Sequence, residues 1–186
     1  MGTATRAASQ TTTTWSIDSA HSSVEFAVKH LMISTVKGRF GISSGTLQLN
    51  DADPAKTKVD VEIDAASVDT RQEQRDVHLR SADFFDTANH PQIVFRSTRI
   101  EGDTNGEFTL HGDLTIKGIT RPVSLKATFE GEGRDPWGGE RLGFSAEGKI
   151  NRKEFDLTWN QALEAGGWVV GDDIKLRIDS EFVKQN

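Results

Sequence analysis

The sequence predicts an all-β protein of roughly seven or eight antiparallel strands with one helical excursion. Three observations carry that reading. Apolar residues recur at every second position through most of the chain after residue 14, the period of a strand that buries one face. Charged residues fill the positions between, so each strand is covered on one side only. Only the stretches near residues 71–87 and 151–155 lose the alternation and read as helical. Many half-buried strands need a shared apolar interior and a way to hide their edges, which a sandwich or a closed barrel supplies. A barrel of about eight strands is either filled by its own side chains or holds one small ligand. Alternation does not choose between the two.

In chain order, Trp15–Asp18 and Ser22–His30 are strands separated by the turn-like SAHS. TVKGRFGISSGTLQLN follows, with Val36, Gly38, Phe40 and Ile42 on even positions and Gly45, Leu47 and Leu49 on odd ones. One extra residue at Ser43-Ser44 makes that parity change, either as a bulge in one strand or as a break between two. KVDVEIDAASV sets Val59, Val61, Ile63 and Ala65 against Lys58, Asp60, Glu62 and Asp64. DTRQEQRDVHLRSADFF predicts a helix near 71–80 and a further turn near 81–87, and Pro91 ends the connection. Strands then follow from Ile93–Phe95, through Phe108, Leu110, Leu114 and Ile116, and, after a turn at GITRP, through Val123, Leu125, Ala127 and Phe129. Leu142, Phe144, Ala146 and Ile150 mark the next strand, and Asn151 is a plausible N-cap for a short helix ending at Phe155. The Gly-rich EAGGWVVGDD leads into a last strand through Ile174, Leu176 and Ile178.

The composition narrows function. The 186 residues suit one domain, expected over 15–186 after a disordered, Thr/Ala/Ser-rich leader at 1–14. A formal charge of −6 opposes a nucleic-acid partner. The absence of Cys removes disulfide and thiolate chemistry. There is no Tyr, and ten of the aromatic residues are Phe, which brings no polar group into an interior. No window has the apolar length of an integral membrane segment, no signal-peptide stretch opens the chain as given, and a cytoplasmic location is expected. The letters Gly-x-Ser-x-Gly occur as GISSG at 41–45, inside an alternating strand run and not at the strand-to-helix turn a nucleophile elbow needs; no phosphate-cradling loop or metal-ligand spacing is present, and His78 and His90 lie far apart. Catalytic residues, metal and cofactors are therefore each expected to be none.

Several separated motifs resemble one family. IDSAHSSVEFAVKHL, STVKGRFGISSGTLQLN, ASVDTRQEQRDVHLRSADFFDTANHPQIVFRSTRI, GDLTIKGITRPVSL, GFSAEGKINRKEFDL and GDDIKLRIDSEF occur in the order and spacing of the YceI-like family, over roughly residues 15–184. The resemblance implies an eight-stranded antiparallel lipocalin-like barrel with short helical segments capping or flanking it. It implies non-catalytic binding, storage or transport of a long apolar lipid inside: a polyisoprenoid, an isoprenoid quinone or a fatty-acid derivative. Many members are exported to the periplasm. RKEFDL departs from the family run, which has Gly where Asp156 stands, and a change in the local turn is expected there.

On that resemblance the in-phase apolar residues Phe26, Val28, Phe40, Phe95, Leu110, Leu114, Leu125, Phe144 and Leu176 are the candidate ligand wall; ordinary barrel core is the bland alternative. Phe84 and Phe85 are expected to anchor Thr70–Asp86 on the barrel as a lid. In SVEFAVKHL, parity puts His30 on the face of Val24, Phe26 and Val28, where its imidazole needs a partner: a ligand head group or a protein group. Arg75 and Arg80 suggest either a head-group site or a solvated helix face. Two competitors remain: an enzyme acting on such a lipid through His30 or His21, and a filled barrel serving as an interaction module. The sequence does not decide between a monomer and a homodimer.

Overall fold

The computed structural model describes residues 12–185. Nine strand segments form one antiparallel sheet: β1 (Thr12–Ile17), β2 (Ser23–His30), β3 (Ser34–Asn50), β4 (Lys58–Asp69), β5 (Gln92–Gly102), β6 (Glu107–Ile116), β7 (Ile119–Arg134), β8 (Glu140–Asn151) and β9 (Val170–Lys184). From β2 to β9 each strand pairs with the next. β9 returns to β2, with Phe26 opposite Leu176, and the sheet closes. β1 and β2 share one place in it. β1 pairs with Thr46–Asn50 of β3 and with the end of β9, while β2 pairs with the earlier part of both partners. The barrel therefore has eight positions occupied by nine segments, because the chain turns out of the sheet at Asp18–Ser22 and re-enters it. Closure leaves no long unpaired edge.

β3 continues through the parity change as one strand. Its register with β4 shifts between Ile42 and Ser44, so the bulge reading is the correct one. β1 begins at Thr12, inside the span expected for the leader; the rest of that leader lies outside the described residues. The turn expected at GITRP is tighter: Lys117 and Gly118 both have positive φ, as a primed hairpin turn requires, and Pro122 is already in β7 opposite Asp113. Asp156 has φ 56 and caps a 3-10 turn at Arg152–Phe155, so its backbone adopts the left-handed form a glycine takes at least cost. A second 3-10 turn, Pro54–Lys56, gives no signal in the alternation.

The connections sort to two ends. One end carries the β2–β3 hairpin, the β6–β7 turn, the β8–β9 loop and, between β4 and β5, the single α-helix among the described residues, α1 (Glu73–Arg80). The other carries the β3–β4, β5–β6 and β7–β8 connections.

Candidate functional site: an apolar cavity closed at one end

The barrel is not filled. It encloses a cavity of about 710 Å³, within the range of small-molecule sites. Nine of the ten phenylalanines line it, Phe155 being the exception. Their neighbours are Ile, Val and Leu from all eight barrel positions. Phe108 and Ile116 of β6 both line it; eight residues of strand, tilted as barrel strands are, give an axial length of about 20 Å. That shape suits an extended chain better than a compact ligand.

The α1 end is plugged. Phe84 and Leu157 close the cavity there and are buried, and Phe155 behind them is wholly buried. Polar side chains hold the plug in place. Asp76, buried in α1, accepts from the Thr70 amide with both carboxylate oxygens, at 3.0 and 3.1 Å. Arg75 donates to the Thr70 hydroxyl and carbonyl, at 2.7 and 2.9 Å. Arg80 donates to the carbonyls of Ala66 and Val68. The two arginines thus bond to neighbouring protein acceptors, backbone carbonyls and the side chains of Thr70 and Glu73, and form neither a head-group site nor a wholly solvated face. On the outer side His78 is hydrogen-bonded to Asp83 at 2.8 Å and meets the edges of Phe84 and Trp159.

Arg152, only 2% exposed, pins the β8–β9 loop to this end. Its Nε donates to Gly171 O, Nη1 to Leu157 O and Trp159 O, and Nη2 to Val170 O and Asp172 Oδ1. These are five acceptors for the five N–H groups of a guanidinium. Burial pushes its pKa down, opposed in part by Asp172.

The opposite end is open. The exposed lining residues Asp51, Pro54, Asn105 and Glu132 lie on the β3–β4 connection, the β5–β6 turn and late β7, and form the rim of a mouth. Asn50, Thr57 and Thr104 lie beside them. Thr70–Asp86, expected as a lid, caps the α1 end of the barrel and is hydrogen-bonded to Ala66 and Val68 of β4, while the exposed lining residues lie at the other end.

Of the candidate ligand wall, Phe26, Val28, Phe40, Phe84, Phe85, Phe95, Leu110, Leu114, Leu125, Phe144 and Leu176 all face the cavity. His30 does not. The register between β2 and β9 shifts after Val28, and His30 ends β2 half-buried at the barrel's rim, outside the lining. Its imidazole makes no hydrogen bond to a described residue. The alternation of β2 itself is kept, since its pairing with β3 is regular through His30 opposite Ser34 and the extra residues of the shift lie in β9; His30 is outside the lining because it is the last residue of the strand, beyond the end of the cavity. His21 is also outside, hydrogen-bonded to Asp18 at 2.9 Å. With Glu181, these two are the one group among the described residues spaced to hold a metal ion. Arg141 already lies between the carboxylates, 2.8 Å from Asp18 and paired with Glu181. The mouth residues and Arg152 escape a sequence reading, since turn positions carry no periodicity and only topology brings them together.

The described residues thus form a closed antiparallel barrel around a long, apolar cavity that is open at one end. The chain matches the model of the YceI-like domain over residues 15–182. It is 47% identical over 137 residues to Protein YceI of Escherichia coli O157:H7, covering 74% of this chain and 71% of that protein. The crystal structure of Campylobacter jejuni YCEI protein superposes with a TM-score of 0.71 at 35% identity, covering 85% of this chain and 90% of the other. A polyisoprenoid binding domain from Saccharophagus degradans shares the fold at 13% identity, with a TM-score of 0.68 over 92% of this chain and 98% of that one. The chain belongs to the YceI-like family.

Proposed function

We propose that this protein binds a long apolar lipid inside the barrel, as a carrier or store and without chemical turnover. The observation that carries this reading is the continuous Phe-rich cavity, plugged at the α1 end and open at the other. The ligand class is a polyisoprenoid, an isoprenoid quinone or a fatty-acid derivative; a structural neighbour is described as polyisoprenoid-binding. Burial of such a chain gains about 25 cal/mol per Å² of apolar surface, so affinity comes from the chain. Neither His21 nor His30, the residues an enzymatic reading would use, lines the cavity. The test is organic extraction of purified protein followed by mass spectrometry. One long-chain lipid per protein, recovered unaltered after incubation, is the expected result. Steady conversion of the added lipid to product, or failure of every long-chain lipid to bind, overturns the reading.

A further inference from the structure

We infer that the lipid this cavity takes carries an uncharged, hydrogen-bonding head group, such as an alcohol, quinone or amide, and not a phosphate or carboxylate; the inference rests on the lipid-binding reading above. The mouth is where a head group must sit, because away from it the polar lining side chains are Ser145, Ser180 and Arg152, each already hydrogen-bonded to protein, and the far end is plugged. Among the described residues only Asp51, Glu132 and Arg152 are ionisable groups of the lining. Arg152 lies at the plugged end with all five donors taken, so it offers nothing to an anion. At the mouth stand two carboxylates, Asp51 and Glu132, neither of which forms an ion pair among the described residues.

The cations on the same connections are engaged or turned away. Lys56 lies 3.3 Å from Asp53, and Arg134 and Lys184 pair with Glu140. Lys58 begins β4 on the face opposite the inward Val59. An anionic head would thus meet two like charges without a counter-charge, and the −6 net charge of the chain adds to the repulsion. A neutral head finds the Thr104 hydroxyl and the Asn105 side-chain amide, neither of which is hydrogen-bonded to a described residue. These supply donors and acceptors of the kind that recognise hydroxyl, carbonyl and amide groups.

The test compares four probes with one prenyl chain on the full-length protein: the alcohol, its monophosphate ester, the corresponding amine and the hydrocarbon. Each displaces a fluorescent acyl probe at low ionic strength. The alcohol is expected to bind about tenfold tighter than the monophosphate. Salt should narrow that gap, because the repulsion is at a solvent-exposed mouth. Replacing both mouth carboxylates, Asp51→Asn with Glu132→Gln, should bring the monophosphate to within about threefold of the alcohol, leaving the alcohol's own affinity nearly unchanged. A monophosphate that binds as well as the alcohol to the native protein overturns the inference, and so does a gap that the double variant leaves intact. An amine that binds tightest replaces the neutral class by a cationic one. If the alcohol and the hydrocarbon both fail to bind, the lipid-binding reading itself falls; if they bind and only the discrimination is missing, it stands and the head-group assignment alone is lost.

Discussion

At the scale of the residue, two charged groups hold the molecule together in different ways. Arg152 is buried and serves five acceptors, four of them backbone carbonyls, two in the β8–β9 connection and two at the start of β9. Arg152→Met fills a similar volume but leaves those carbonyls without donors, and should lower unfolding stability by about 3 kcal/mol. Arg152→Lys should recover only part of this, since an ammonium has three donors and no planar fork. Denaturant titration of the three proteins checks the order. His21 acts at the surface. Its hydrogen bond to Asp18, with Glu181 near by, raises its pKa above the ordinary 6.5. His21 and then Arg141 hold Asp18 far below its ordinary 3.8. The raised histidine contributes stability that is complete below 6.5 and is lost as pH rises through its folded pKa. The depressed aspartate contributes stability that is complete above 3.8 and is lost as pH falls through its own. His21→Gln should therefore lower the melting temperature most at about pH 5.5, and the difference should shrink by about pH 9. A difference that stays constant across that range would show that His21 supports the turn by packing and not by charge.

At the scale of the element, close approach of strands shapes the cavity wall. A Cβ on Gly38 of β3 would lie 2.4 Å from Cζ of the Phe26 ring and 2.8 Å from Thr70 Cγ2. Phe26 faces the cavity, so its ring has room to swing inward. Gly38→Ala should then cost only about 1 kcal/mol, the low end for overpacking, and should reduce lipid capacity as the ring enters the ligand space. At Gly112 of β6 the added carbon meets the Phe95 ring at 2.4 Å and the Arg96 carbonyl at 2.6 Å. Backbone cannot yield as a ring can, so Gly112→Ala should cost more, about 3 kcal/mol. Equal losses for the two variants would mean that Phe26 has no free space to enter. The elements themselves are largely legible in the sequence, because a period of two marks a half-buried strand without knowledge of its partners. The bulge at Ser43-Ser44 is legible for the same reason: it reverses a parity that can be counted. His30 is misread because alternation tells which face a residue takes and not how far along the strand the cavity reaches: His30 is the last residue of β2 and lies beyond the lining. The β1–β2 interruption reads as an ordinary turn, since sequence cannot say that both segments share the same neighbours.

At the scale of the whole molecule, the open question for a sequence is whether eight apolar strand faces meet or stand apart. The same Phe, Leu and Val would serve a packed core or a ligand wall, and the distinction resides in the barrel's circumference, which only pairing and closure determine. Here the inner faces stand apart, leaving about 710 Å³ between them. Leu125 puts this to a direct test. It lies in β7 opposite Leu110, its side chain faces the cavity, and it packs over Gly148 of the neighbouring strand. Trp at this position adds an indole to the wall. In a filled barrel the larger ring has nowhere to go and should destabilise by about 1–3 kcal/mol, with binding unaffected because there is no site to lose. In the open barrel the ring projects into the cavity, buries apolar surface of its own and costs under about 1 kcal/mol, while it occupies part of the path of an extended chain. Leu125→Trp should then melt close to the native protein and retain less lipid on extraction, with the longest chains lost first. Full lipid retention beside a melting temperature lowered by several degrees would contradict a cavity that runs the length of the barrel.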